Sequence, residues 1–177
     1  MSSHLEHNAV PTSASGRPLP AHSAGDRDVP GVIAPPPLIY LGGLAVGFGL
    51  EALLDSPSVP GALAWPVGAA LMVTGGALAR SFFRAFVRAR TPVSPYSTPT
   101  ILVTTGAYRL SRNPGYLGMA LAYAGIAVIA GALWALAPLV VVLVLIDRGV
   151  IVREERFLER KFGEDYRRYK RRTRRWL

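Results

Sequence analysis

From Tyr116 to Ile146 the chain runs without a charged residue, and that run constrains the fold more than anything else in the sequence. Wound as one α-helix, its roughly 31 residues reach ~46 Å at 1.5 Å each. The hydrocarbon core of a bilayer is only ~30 Å thick. A helical hairpin within a membrane resolves the mismatch. The turn is expected between Gly131 and Pro138, because glycine breaks a helix and proline starts one well. The predicted arms, about 115–131 and 135–152, are each short for a full crossing. Either they do not cross completely or the bilayer thins around them.

Two more apolar stretches precede the hairpin. The first, about 38–54, carries Gly42, Gly43, Gly47 and Gly49, small residues of the kind that let membrane helices approach closely. Asp55-Ser56-Pro57 ends it, and Glu51 reads as a carboxylate reaching the interface. The second, about 62–83, continues into Arg80, Arg84 and Arg88, which share one helical face as interfacial anchors. Pro92, Pro95 and Pro99 then exclude a regular helix from the first half of the connector 91–111. Residues 1–31 are rich in Pro, Ser, Ala and His, lack apolar periodicity, and read as a disordered tail rather than a signal peptide. The fold class is therefore all-α. The domain is 32–177, an integral membrane helical bundle of about four spans, with a C-terminal helical hairpin and a cytosolic helix and basic tail over 153–177. The cytosolic helix is expected to run through Lys161, with Gly163 as its C-terminal cap.

Charge sets the orientation. The net charge is +9, and most of the excess lies after Arg148. Six arginines, Arg80 through Arg112, sit on the second-to-third connector and its flanks, and none lie on the 55–61 loop or the hairpin tip. The positive-inside rule places the connector, both termini and any site built on them on the cytoplasmic side of an inner or plasma membrane. Beside apolar spans, the basic tail fits an anionic membrane surface rather than nucleic acid. Cysteine is absent, and His4, His7 and His22 all fall in the N-terminal tail. No His/Cys metal cluster, Gly-rich phosphate loop, βαβ pattern or Ser-His-Asp set is present, so no metal site is expected.

The polar residues with chemical potential cluster where the hairpin meets the cytosol. Asn113-Pro114 is a helix start, with Asn at the N-cap and Pro at the first helical position. The free backbone N–H groups there attract an anion. Glu154 and Glu155 lie about two turns beyond Asp147. They are either salt-bridge partners for Arg148, Arg153 or Arg160, or carboxylates for a cationic ligand. Tyr166, Tyr169 and the surrounding Arg and Lys residues read equally as a lid over a site or as an interfacial aromatic belt.

Two blocks carry a resemblance. The first is Leu102-Val103-Thr104-Thr105-Gly106-Ala107-Tyr108 followed by Arg112-Asn113-Pro114-Gly115-Tyr116-Leu117-Gly118. The second is Glu154-Glu155 followed by Phe162-Gly163-Glu164-Asp165-Tyr166 and Tyr169. In this order, separated by a hairpin-length apolar segment, they resemble the isoprenylcysteine carboxyl methyltransferase family and its bacterial relatives, whose pattern the membrane phospholipid methyltransferases share. The resemblance covers about half the chain. It implies S-adenosylmethionine as cofactor, with Glu154 as its carboxylate partner and contacts from Thr100, Ile101, Leu102, Val103, Tyr108, Asn113, Pro114, Gly115 and Tyr116. Arg112, Arg148 and Glu155 are the candidate catalytic residues: Arg112 adds charge at the helix start, Arg148 stands where an acceptor's acidic end would bind, and Glu155 is available to an amine acceptor. The family often has His where this chain has Asn113, which donates and accepts hydrogen bonds but does not titrate. The implied activity is methyl transfer to an amphipathic or lipid acceptor. Carboxyl methylation of an isoprenylcysteine type and phospholipid N-methylation both stay open. The competing class is a non-catalytic membrane scaffold whose tail binds anionic lipid.

Overall fold

The computed structural model describes residues 33–54, 56–57, 59–90 and 101–177. The disorder expected for 1–31, the connector's proline-rich first half and the candidate contact Thr100 lie outside the described residues. Helix α1 spans Pro36–Leu53 and α2 spans Gly61–Ala89. A short 3₁₀ turn, Gly106–Arg109, leads to α3, Pro114–Ile129. Another, Leu133–Ala135, opens α4, Leu136–Ile146, and a π turn at Asp147–Ile151 joins α4 to α5, Val152–Arg172. Among the described residues there is no strand.

The uncharged run is a hairpin, as its length demands. It turns at Gly131, whose φ of +68° suits a residue without Cβ. Helix α3 has 16 residues, ~24 Å by helical rise, so this arm is shorter than the hydrocarbon core. By contrast α2 has 29 residues and passes well beyond the expected end near position 83, carrying Arg80, Arg84 and Arg88 out to Ala89. Those three arginines are exposed, as interfacial anchors are. Three helical stretches are long and apolar enough to cross a membrane: α1, α2 and the continuous rod Leu133–Arg172. The apolar part of that rod ends at Ile146, and α5 carries charge from Arg153 onward. Large apolar side chains such as Leu41, Val46, Trp65, Val73, Val87, Val140 and Val144 stand exposed on the helices. That is the surface expected of a bundle solvated by lipid.

Backbone contact holds the spans together. A Cβ added to Gly75 would lie 2.6 Å from the Gly118 carbonyl oxygen, and one added to Gly118 would lie 2.9 Å from that of Gly75. Gly68 and Gly125 repeat the reciprocal contact at 2.8 Å each way. The two pairs are two helical turns apart on both helices, so α2 and α3 lie antiparallel with backbones touching at two levels. Helix α1 packs on the other arm through Gly43 against Val142 and Gly47 against Ala135, whereas Gly42 and Gly49 face open space. Glu51 does more than reach the interface. It accepts the Ser56 hydroxyl at 2.8 Å and the Trp134 N–H at 3.1 Å, tying the first loop to the hairpin tip.

Gly163 breaks the last helix where expected, with non-helical angles (φ +54°, ψ −124°), and a second helical stretch follows it to Arg172. One local expectation needs correction. Asn113 occupies the N-cap position of α3 but makes no side-chain cap. Its amide is drawn away by a carbonyl from the far end of the chain.

Candidate functional site

The site gathers where α1 and the first turns of α3 and α5 meet the loop 101–113. The loop is seated on α2: the Ala107 N–H donates to Ser81 Oγ at 3.0 Å. The Tyr108 ring packs 6.2 and 6.1 Å from Phe82 and Phe86. Tyr40 on α1 donates to the Tyr116 carbonyl at 2.9 Å. The Tyr116 hydroxyl in turn donates to Glu154 Oε1 at 2.8 Å. The first turns of α3 and α5, 38 residues apart in sequence, are thus joined through a tyrosine and a carboxylate.

The adjacent carboxylates have different surroundings. Glu155 is buried and shared by two guanidinium groups. Arg112 Nη2 lies 3.1 Å from its Oε1, Arg175 Nε donates to the same oxygen at 3.1 Å, and Arg175 Nη2 donates to Oε2 at 2.7 Å. Glu154 is half-buried and its polar partner is a neutral hydroxyl. Burial therefore pushes its carboxyl up to about 7, the Tyr116 hydrogen bond offsets part of that rise, and the neighbouring Glu155 charge adds to it. Burial, then the Glu154 and Tyr169 charges, push the Tyr108 hydroxyl above its ordinary range. Tyr108 and Glu154 thus share one electrostatic environment.

Arg112 is the anomaly of the site. Its side chain is 10% exposed and one nitrogen is spent on Glu155. Its Nε and Nη1 are buried with no hydrogen-bond partner. Buried donors of this kind carry a full desolvation cost unless an acceptor arrives.

The segment 173–177 crosses beneath these residues as a strap. The Arg112 N–H donates to the Arg174 carbonyl at 2.9 Å. Ser111 Oγ and Asn113 Nδ2 both donate to the Arg175 carbonyl, at 3.1 and 3.0 Å. The Arg175 side chain also reaches Asp147 at 3.2 Å, and the Trp176 indole donates to Asp147 at 3.1 Å. Beside the strap opens a cavity of about 770 Å³ lined by Ile101, Leu102, Thr104 and Arg109 from the loop and by Phe162, Asp165, Arg168, Tyr169, Arg172 and Thr173 from α5 and its end. Tyr169 closes one edge by donating to the Tyr108 carbonyl at 2.7 Å.

Among the residues singled out from sequence, the fold brings together Arg112, Asn113, Tyr116, Glu154 and Glu155, with Tyr108 beside them. Ile101 and Leu102 line the cavity. Val103 is half-buried in the same loop, Pro114 is buried, and Gly115 faces the Phe82 ring. Arg148 stands apart: its side chain is 82% exposed and its carboxylate neighbour is Asp147 at 3.7 Å. Sequence reasoning passed over Asp147, Arg175 and Trp176. In a tail so rich in arginine, nothing local distinguishes Arg175. The signal available was Trp176, an aromatic beside it that a purely electrostatic anchor does not need.

The sequence model of the phospholipid methyltransferase family matches residues 63–165, more than half of the chain. An uncharacterized protein of Haemophilus influenzae is 50% identical over 38 residues, which cover 22% of this chain and 60% of that relative. No solved structure matches the chain.

Proposed function

The chain belongs to the phospholipid methyltransferase family, and on that premise we propose that it transfers a methyl group from S-adenosylmethionine to an amphipathic or lipid acceptor at the cytoplasmic face of a membrane. The observation that carries the reading is the contrast between Glu154, which accepts from a neutral hydroxyl, and Arg112, which pairs with the adjacent Glu155 and keeps two buried donors unpaired. Glu154 is a carboxylate with one neutral partner, suited to an ammonium or a ribose diol. Arg112 offers two buried unpaired donors, suited to a carboxylate. Phe162 and Tyr169 on the adjoining cavity supply flat faces for an adenine. This donor set fits S-adenosylmethionine, which supplies an electrophilic methyl group on sulfur.

The residues around it bind, orient and exclude water. Glu154, held by Tyr116, would hold the ammonium or the ribose diol of the cofactor. Arg112, backed by Glu155, would hold the carboxylate of its amino-acid end. Tyr108 and Tyr169 close the loop over the cavity and keep water from the reacting centre. The apolar helix ends beside them let a lipid acceptor approach from the bilayer. Arg109, Arg168 and Arg172, with Asp165 as the one acid among the cavity-lining residues, favour an acceptor bearing an anionic group. Isoprenylcysteine-type carboxyl methylation meets that condition and needs no base. The near-neutral value of Glu154 supports a second reading, a phospholipid amine whose proton Glu154 accepts.

The test is a titration of detergent-purified protein with S-adenosylmethionine beside Glu154→Gln, followed by methyl transfer from labelled cofactor into prenylcysteine and phosphatidylethanolamine acceptors. Saturable binding weakened at least tenfold by the substitution supports the reading. No binding by folded wild type, with full retention on anionic vesicles, points to the scaffold instead.

A further inference from the structure

The proposed activity does not account for one arrangement: the strap 173–177 makes more polar contacts with the site than membrane anchoring requires. We propose that this strap positions the site and that Arg175 is its positioning residue. The inference deepens the methyltransferase reading and rests on it for its kinetic consequence, though not for its structural one.

Arg175 works from both of its ends. Its carbonyl accepts from Ser111 Oγ and Asn113 Nδ2. That fixes the loop entering α3, and it draws the Asn113 amide off the cap so that the α3 N–H groups stay uncapped. Its guanidinium spans Glu155 on α5 and Asp147 in the π turn. One residue thereby joins the start of α3, the end of α4 and the first turn of α5. Ser111, its contact in the loop, is fully buried, so the joint is packed rather than superficial. The two-pronged hold on Glu155 also sets the state of Arg112. Because Arg175 occupies both Glu155 oxygens, Arg112 is left a single contact with that carboxylate and keeps Nε and Nη1 uncommitted. Without Arg175, Glu155 would be free to take Arg112 by both prongs and withdraw it from a ligand's anionic group. A planar fork is required for this geometry, and lysine, a point charge on a flexible stem, does not reproduce it.

A merely structural role predicts something different: a weaker fold with unchanged ligand handling. The experiment compares wild type, Arg175→Gln, Arg175→Lys and a stability control at the opposite end of the bundle, Glu51→Gln. Two readouts are taken on full-length protein in detergent. The first is amide hydrogen exchange, independent of any activity. In Arg175→Gln the amides of Arg112 and Asn113 are expected to exchange at least tenfold faster, with α2 and the apolar part of α3 unchanged. Glu51→Gln is expected to leave Arg112 and Asn113 at wild-type rates. The second is S-adenosylmethionine affinity and steady-state kinetics. Arg175→Gln is expected to raise the cofactor KM at least tenfold with kcat within about threefold, and Arg175→Lys to rescue less than a third of that loss. Wild-type exchange at Arg112 and Asn113 in Arg175→Gln overturns the proposal. So does faster exchange there with the cofactor KM unchanged. If wild type binds no S-adenosylmethionine, the methyltransferase reading fails, while the exchange result still decides whether the strap holds the loop.

Discussion

The apolar half and the polar half of this protein are held together by opposite means. Between α2 and α3 the contact is backbone on backbone, made by four glycines in two reciprocal pairs. The Ile129 and Met72 side chains close in around the Gly68–Gly125 pair, and an added Cβ at any of the four glycines meets the facing carbonyl oxygen at under 3.0 Å. At the polar end the contact consists of long polar and charged side chains reaching across: Arg112 and Arg175 on Glu155, Arg175 on Asp147, Tyr116 on Glu154. The difference follows from the solvent. Lipid offers helices no hydrophobic reason to associate, so close approach of small residues does the work. At the interface, water competes for every charge, so an ion pair gains fixed geometry by being buried, and burial in turn demands that each donor find an acceptor. A glycine seam specifies one distance. A charge network specifies orientations, and it can leave a donor such as Arg112 Nε unpaired.

The comparison breaks most severely at the seam. Gly75→Leu is expected to destroy the fold, at about 3 kcal/mol or more of overpacking against the Gly118 carbonyl. Its neighbour Gly76 has nothing within 4 Å of an added Cβ, so Gly76→Leu is expected to purify like wild type. Monodispersity by size exclusion reads both, and equal behaviour of the two variants would end the case for the seam.

Next in size is the clamp. Glu155→Ala leaves Arg112 and Arg175 facing each other without their shared acid, a change expected to cost about 3–5 kcal/mol and to appear in thermal unfolding. A variant as stable as wild type would mean that the buried pair contributes no net stability.

Glu154 sharpens the comparison from the functional side. Its carboxyl is raised to about 7. For an acid raised in the folded state, ionisation weighs against folding, and the penalty grows as pH climbs from the ordinary carboxylate range through 7. Glu154→Gln is therefore expected to stabilise the ligand-free protein at pH 8, by about 1–2 kcal/mol, while weakening cofactor binding at least tenfold. In wild type, S-adenosylmethionine affinity is expected to fall as pH drops from 8 to 6, because the ionised carboxylate is the form that binds. A titration series showing the same pH slope in Glu154→Gln would assign the effect to another group.

The smallest effect belongs to Arg148. With its side chain 82% exposed, Arg148→Ala is expected to change stability by less than about 0.5 kcal/mol and methyl transfer by less than twofold. A tenfold loss of transfer with intact cofactor affinity would return Arg148 to the acceptor site.

Hydropathy and punctuation are properties of the chain taken in order, and what depends on them was legible in the sequence. The hairpin follows from the uncharged run at 116–146 and turns inside the expected window. The four apolar segments and the charged helix beyond Asp147 follow in the same way. The matching blocks singled out the loop, Tyr116 and Glu154, which the fold brings together, because their residue types stand in a fixed order. Other features depend on which groups meet through space. Gly43 and Gly47 look no different in sequence from Gly42 and Gly49, yet only the first two are buried against another helix. Gly163 bears the mark of a helix terminator and breaks the helix, but the second helical stretch that follows it to Arg172 was not expected. Glu154 and Glu155 are adjacent and alike, and about 100° of helical rotation between them sends one to a tyrosine and the other to two arginines. Arg175 is one of many arginines in its segment. Only the folded chain places it under Asn113, 62 residues away in sequence. The sequence by itself determined a membrane hairpin with a polar mouth, because the cost of burying charge in lipid depends on composition along the chain. The tertiary structure decided which charges are paired and which are left open, because pairing depends on distances that no local pattern encodes.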